Sequence, residues 1–166
     1  MGSMRAVIRP ARMEDVPIIA EFIRELAEYE RLSNEVVLKE EDLRRHLFGT
    51  RPYVEVLIAE ENGEAVGFAL FMHNYSTFLA SPGIYLEDLF VRPAHRGKGH
   101  GKALLQEVAR IAVERGCGRF EWAVLDWNTP AIEFYRSLGA RPMHDWTIFR
   151  VAGDDLLKLG GSRERS

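Results

Sequence analysis

The chain has 166 residues, with 46% hydrophobic, 10% aromatic and 28% charged side chains, as expected for a globular domain of ordinary size and not for a disordered or fibrous chain. No apolar run is long enough to span a bilayer; the most hydrophobic stretch, Val66 to Met72, is strand-sized, so no membrane partner is expected. A net charge of −3 removes the electrostatic footprint of a general nucleic-acid binder, and the one cysteine, Cys117, rules out an internal disulfide and a multi-thiolate metal site.

The elements follow in chain order. Met1-Gly2-Ser3 ahead of Met4 reads as an expression scar (1–3), and nothing after it resembles a signal peptide, which leads us to expect a cytoplasmic protein. Ala6 to Arg9 forms a short strand closed by Pro10. Ile18, Ile19, Phe22, Ile23, Leu26 and Tyr29 recur at helical spacing, which predicts an amphipathic helix from about Met13 to Glu30, and a shorter helix follows over Glu40 to Leu47. Tyr53 to Ala59 and Ala65 to Met72 read as two strands joined by a tight Asn62-Gly63 turn. Ile84 to Val91 is a buried strand carrying two adjacent acids, Glu87 and Asp88.

The segment Arg92 to Lys102 holds four bases, two histidines and no acid, while acids outnumber bases between Glu14 and Glu41. This asymmetry suggests one anionic ligand and a cationic one. A helix lined by Leu104, Leu105, Val108, Ile111 and Ala112 stops at Gly116; Phe120 to Leu125 is a strand; Thr129 caps a helix with Pro130 at its first position and Gly139 at its close. Thr147 to Val151 reads as a last strand and 160–166 as a flexible tail, leaving 4–159 as a single α/β (α+β) domain.

The strongest chemical signal is Arg96-Gly97-Lys98-Gly99-His100-Gly101 between a strand and a helix, with Lys102 just inside the helix. Glycines let backbone N–H groups approach an anion, and the helix start adds its unpaired N–H groups and positive dipole end. The loop is not a Walker A motif, because Arg96 and Ala103 stand where Gly and Ser/Thr belong. Nor is it a dinucleotide fingerprint, because Lys102 or Leu104 stands in place of the third glycine.

The pattern Arg96-x-x-Gly99-x-Gly101 resembles the Arg/Gln-x-x-Gly-x-Gly/Ala signature of the Gcn5-related N-acetyltransferases, whose loop holds the pyrophosphate of acetyl-CoA. Tyr85-Leu86-Glu87-Asp88-Leu89-Phe90-Val91, Asp126-Trp127-Asn128, Phe134 to Ala140 and Leu26-Ala27-Glu28-Tyr29-Glu30 resemble the matching blocks of the diamine (spermidine/spermine) acetyltransferase branch. Ala123 to Asn128 and Tyr75-Ser76-Thr77 are more similar to that branch's thialysine-acetylating member, and the short Met143–Trp146 segment weighs against polyamine specificity.

The resemblance implies a central mixed, mostly antiparallel twisted sheet flanked by helices. It implies acetyl-CoA held by Leu89, Phe90, Val91, Arg96, Gly97, Lys98, Gly99, His100, Gly101, Lys102, Asn128, Ala131 and Tyr135, with no metal. It also implies a small amine held by Tyr29, Glu30, Glu87, Asp88 and Trp146, and a homodimer. An alkyl ammonium with a pKa near ~10.4 must lose a proton before it can attack. Glu87 is the candidate base, directly or through a water; like charge and an apolar strand raise its proton affinity. Adjacent strand residues face opposite sides, so Glu87 and Asp88 can serve one pocket only where the strand is bulged or splayed; the alternative is a pair of edge carboxylates bonded to arginines.

By the same resemblance Tyr135 protonates the departing sulfur, where pattern alone makes it a core aromatic. Asn128 caps a helix or binds the pantetheine arm, Tyr29 and Glu30 hold the amine or simply end a helix, and Trp146 reaches a neighbouring subunit or packs in a core. His46, His73, His95, His100 and His144 lack metal-ligand spacing, and Cys117 is structural. The expected reaction is direct acetyl transfer to a small primary amine in a ternary complex. Alternatives are an acetyltransferase acting on protein lysines or N-termini, and a non-catalytic CoA-binding module.

Overall fold

A computed structural model describes residues 5–161; the expected scar and most of the expected tail lie outside them. The chain divides into two compact units, one ending at Leu125 and one beginning at Asp126.

The first unit is built on a five-stranded sheet in the order β1-β2-β3-β4-β5, comprising β1 (Ala6–Pro10), β2 (Glu55–Glu61), β3 (Glu64–Ser76), β4 (Ser81–Val91) and β5 (Phe120–Trp122). The first four strands are antiparallel and β5 is parallel to β4, so the sheet is mixed and mostly antiparallel, as expected. The β2–β3 turn places Asn62 at φ 52° and Gly63 at φ 84°, the left-handed pair that a two-residue hairpin turn demands. Strands β3 and β4 extend beyond their apolar stretches, since antiparallel pairing continues through Asn74, Tyr75 and Ser76, and β2 begins at Glu55, two residues later than its apolar pattern. The fifth strand is shorter than its apolar pattern and stops at Trp122.

Helix α1 (Val16–Tyr29) and helix α2 (Glu40–Phe48) cover one face of the sheet. Their apolar stripe, including Ile19, Phe22, Leu26, Leu43 and Leu47, packs on Val56, Ile58, Phe68, Leu70 and Phe90. The rings of Phe22 and Phe68 stack at 5.7 Å between centroids, and Phe90 lies against Phe22 at 6.1 Å. Helix α3 (His100–Glu114) follows β4, buries Leu104, Leu105, Val108 and Ala112, and packs against β1, β2, β3 and β4. It ends where expected, with Gly116 at φ 72° and Cys117 N donating to the Ala112 carbonyl.

The second unit contains α4 (Thr129–Ser137), closed by Gly139 at φ 94°, and α5 (Gly153–Gly160). Two sequence expectations are corrected here. The cap of α4 is Asn128 and not Thr129; the Asn128 Oδ1 accepts from Ala131 N at 3.4 Å, and Thr129 is already helical. Thr147–Val151 is not a strand: among the described residues the second unit holds no strand for it to pair with, and an isolated strand would leave its backbone groups unbonded. Helix α5 was not anticipated, although Asp154 and Asp155 in its first turn and Lys158 in its last match the helix dipole.

Candidate active site

The β4 strand carries a break at the acidic pair. Leu70 pairs with Asp88 and Phe71 with Leu86, so Glu87 is the extra residue of a β-bulge. This is the irregularity that the adjacent acids require if both are to serve one place. Glu87 is exposed and Asp88 half-buried. Burial first, then the charges of Glu87 and Glu30, push the Asp88 carboxyl up to about 7. Glu30, just past the end of α1, is likewise raised by burial and by Glu87, and the Tyr85 hydroxyl by burial, by Glu87 and by Glu121 of β5. Three carboxylates from two elements thus share a partly desolvated region with no cation bonded to any of them among the described residues; the arginine-paired alternative finds no support. Tyr29, one residue before Glu30, is partly exposed at the same helix end.

The bulge also decides what β4 offers along its other edge. Ile84 N donates to the Arg119 carbonyl, so before the bulge the even-numbered residues turn their backbone groups towards β5. Arg92 N donates to the Val66 carbonyl, and the antiparallel alternation therefore turns Asp88 and Phe90 towards β3, and Leu89 and Val91 away from it. Pairing with β5 ends at Leu86 and Trp122, so from Glu87 to Val91 that edge has no strand partner. Of the three residues expected to present backbone groups there, Leu89 and Val91 do so, while Phe90 bonds β3 and buries its ring in the core. The Val91 carbonyl is taken by Arg96, whose Nε donates to it at 2.8 Å.

The glycine loop follows at once. Gly97 and Gly99 adopt φ of 77° and 87°, and a Cβ added at either would meet nothing within 4 Å, so the space in front of the loop is open. The first backbone bond of α3 is Ala103 N to the Gly99 carbonyl at 2.9 Å. The N–H groups of Gly99, His100, Gly101 and Lys102 precede it and have no intrahelical acceptor. These amides and the dipole of a 15-residue helix point at one place, which fits a diphosphate.

The side chains of the loop behave differently from the expectation that they draw in the nucleotide. Arg96 lies over the rings of Tyr29 and Phe90, 5.0 and 5.6 Å from their centroids. Arg92 bonds Glu25 and Glu21 and sits over Phe22 at 4.9 Å, tying the loop to α1. Lys98 bonds Glu61 at 2.7 Å, and His95 and His100 reach the same carboxylate. His100, expected at the cofactor, is buried and points to Glu61. Glu61 carries no local signal in the sequence; it lies 34 residues before His95, and only the hairpin brings the two together.

In the second unit, Asn128 and Ala131 form one capping pair, so the capping reading of Asn128 holds. The Tyr135 ring lies 5.6 Å from that of Phe134 on α4. Trp146 stands in a stretch without regular structure and is exposed, not in a core. Among the described residues no cluster of three or more His, Cys, Asp or Glu side chains is placed to hold a metal ion.

The sheet bulged at an acidic pair and followed by an amide-lined loop at a helix start sets a proton-accepting carboxyl cluster and an anion-fitting loop on one strand. Residues 19–140 match the Acetyltransferase (GNAT) family, and the chain belongs to it; it is an N-acetyltransferase. A thialysine N-epsilon-acetyltransferase from Sus scrofa is 40% identical, over 93% of this chain and 97% of its own length. An L-ornithine N5-acetyltransferase from Arabidopsis thaliana is 35% identical, over 90% of this chain and 85% of its own. Among solved structures, an integron cassette protein from V. cholerae aligns with a TM-score of 0.79 at 30% identity, covering 96% of this chain and 100% of that one.

Proposed function

We propose that this protein moves the acetyl group of acetyl-CoA to the primary amine of a small cationic molecule, by direct transfer in a ternary complex. The observation that carries the reading is the bulge at Glu87, which couples a half-buried, uncompensated acidic cluster to a strand edge leading straight into an amide-lined anion loop. The relatives named above acetylate, by their names, the Nε of thialysine and the N5 of ornithine. Both are amines at the far end of an amino-acid side chain, and the acids Glu30, Glu87 and Asp88 suit such a cation, with Tyr29 beside them.

Acetyl-CoA supplies an activated acyl carbon. The loop amides hold its diphosphate, and Leu89 N–H and C=O with Val91 N–H pair with its amide-bearing arm as a further strand would. The Glu87–Asp88 pair takes the ammonium proton, directly or through a water, and frees the nitrogen lone pair to attack. Proton affinity suits Asp88 to this work: a carboxyl pushed up to about 7 is about half ionised at neutral pH, so it can both accept a proton and give it up. We assign Tyr135 as the acid that protonates the departing thiolate, from its place in the Phe134–Ala140 block. We place the enzyme in the cytoplasm as a homodimer in which Trp146 approaches the neighbouring subunit's amine. The exposure of Trp146 supports its part in this.

The test is a panel of amines (thialysine, ornithine, lysine, putrescine, spermidine) and a lysine-bearing peptide, each with acetyl-CoA, followed by release of free thiol. Turnover on an amino-acid side-chain amine is expected. Turnover confined to the peptide would make the protein a protein acetyltransferase, and none at all a CoA-binding module.

A further inference from the structure

One buried ionic cluster takes no part in the chemistry above. Glu61, the last residue of β2, is 8% exposed, and its carboxylate accepts from three side chains of the glycine loop: Lys98 Nζ on Oε1 at 2.7 Å, His95 Nδ1 on Oε2 at 2.6 Å, and His100 Nε2 on Oε2 at 3.1 Å. An ionised carboxylate only accepts, so both imidazole nitrogens that face it carry protons. Within six consecutive residues the loop is therefore tied three times to one side chain. The anchor is itself rigid: the hairpin turn next to Glu61 is bound to the chain start by Arg5 N to Asn62 Oδ1 at 3.0 Å and by Asn62 N to the Arg5 carbonyl at 2.8 Å.

A buried acid beside an anion site is electrostatically adverse unless it neutralises something, and here it faces a lysine and two histidines. Its net effect on charge is small and its effect on geometry large, because the tied residues alternate with the glycines. His95 and Lys98 bracket Gly97, and Lys98 and His100 bracket Gly99. Two glycines at positive φ are free in an unfolded loop to take many conformations, and three bonds to one carboxylate select among them.

We infer that Glu61 is a positioning residue of the loop: by tethering His95, Lys98 and His100 to the β2–β3 hairpin it holds the loop amides in the concave arrangement that receives the acetyl-CoA diphosphate. This rests on the loop being the acetyl-CoA site. The pinning itself is a statement about the free protein and is tested without ligand.

The experiment compares the full-length protein with Glu61→Ala and Glu61→Gln, using CoA calorimetry, steady-state kinetics in both substrates, and amide hydrogen exchange of the free protein, with Gly99→Glu as the control for the site. For Glu61→Ala, the CoA Kd and the KM for acetyl-CoA are expected to rise about tenfold, the scale of a lost charge-assisted hydrogen bond. The amine KM and kcat should stay within about twofold, and exchange should speed up at the bonded amides that flank the open loop, His95, Arg96 and Ala103, while the strands remain protected. Glu61→Gln, which keeps one carbonyl acceptor, should recover part of the affinity; it carries the same test if the alanine variant fails to fold. Unchanged exchange at those flanking amides overturns the proposal, as does faster exchange spread evenly through the sheet with equal losses for both substrates. If the unaltered protein binds no CoA, or Gly99→Glu binds it as well as the unaltered protein does, the assignment of the loop falls instead, and the exchange result still decides the role of Glu61.

Discussion

Two neighbouring regions of one strand-loop-helix segment handle charge in opposite ways. At the β4 bulge, Glu87 and Asp88 crowd against Glu30 with no cation bonded to them among the described residues, and Asp88 is pushed to about 7. A few residues later every base from Arg92 to Lys98 has a partner: Arg92 has Glu25 and Glu21, Arg96 has two aromatic rings and a carbonyl, and Lys98 shares Glu61 with His95 and His100. The lesson is that Arg92, Arg96 and Lys98 hold the shape of the loop. In the proposed function the backbone amides then supply the attraction for an anion, and the acidic region supplies the proton acceptor. On that reading uncompensated charge marks the reacting centre, and compensated charge marks the frame.

That contrast can be broken at the amides first. Gly99→Glu places a carboxylate and a strained positive φ at the loop, and since a Cβ there meets no atom, the fold should survive while acetyl-CoA binding disappears from calorimetry. Retained affinity would show that the anion is held by side chains after all. Next comes the acidic pair: Glu87→Gln should lower turnover at pH 7 by about a hundredfold and recover as the amine itself deprotonates at alkaline pH. A pH profile parallel to that of the unaltered enzyme would remove Glu87 from the proton path. Tyr135→Phe should lower kcat by roughly tenfold with the Kd for CoA little changed, the signature of a lost proton donor. Equal losses in both would make Tyr135 a packing residue.

The smallest effect sharpens the contrast through stability. The proton affinity of Asp88 is raised by folding, so between its ordinary value of 3.8 and about 7 the folded protein binds more protons than the unfolded chain, and stability falls as pH rises through that window. Asp88→Asn should flatten this fall and raise the melting temperature at pH 8 by a few degrees, alongside a loss of activity. Glu61 has the opposite sign. Bonded first by Lys98 and then by His95, it is held down to about 2, so its contribution is present above its ordinary value of 4.5 and lost as pH falls towards 2. An acid limb of the melting curve that shrinks in Glu61→Gln, and a fall between pH 3.8 and 7 that shrinks in Asp88→Asn, would separate the two carboxylates in one titration.

Much of this site is legible in the residues alone because the relevant signals are local. Asn62-Gly63 specifies its own turn, the glycines of 97–101 specify an open loop, and Thr129-Pro130 marks a helix start to within one residue, although the cap itself is Asn128. Adjacent Glu87 and Asp88 pose the choice between a bulged strand and a pair of edge carboxylates, which the pairing of β3 with β4 decides. The strand expected at Thr147–Val151 shows the limit: β-branched and aromatic residues describe a segment able to pair but carry no information about whether a neighbour exists, and in the second unit none does among the described residues.

What the sequence determined by itself, then, is the order of elements as far as α4, the open glycine loop and the acidic pair, each encoded within a few consecutive residues through backbone sterics, helix dipoles and like charge. Only the tertiary structure decided which carboxylate is desolvated, which backbone groups of β4 remain available, and that Glu61 gathers three loop side chains. Those outcomes depend on contacts between residues 34 to 67 positions apart, and burial and long-range charge pairing have no signature in a local stretch of chain.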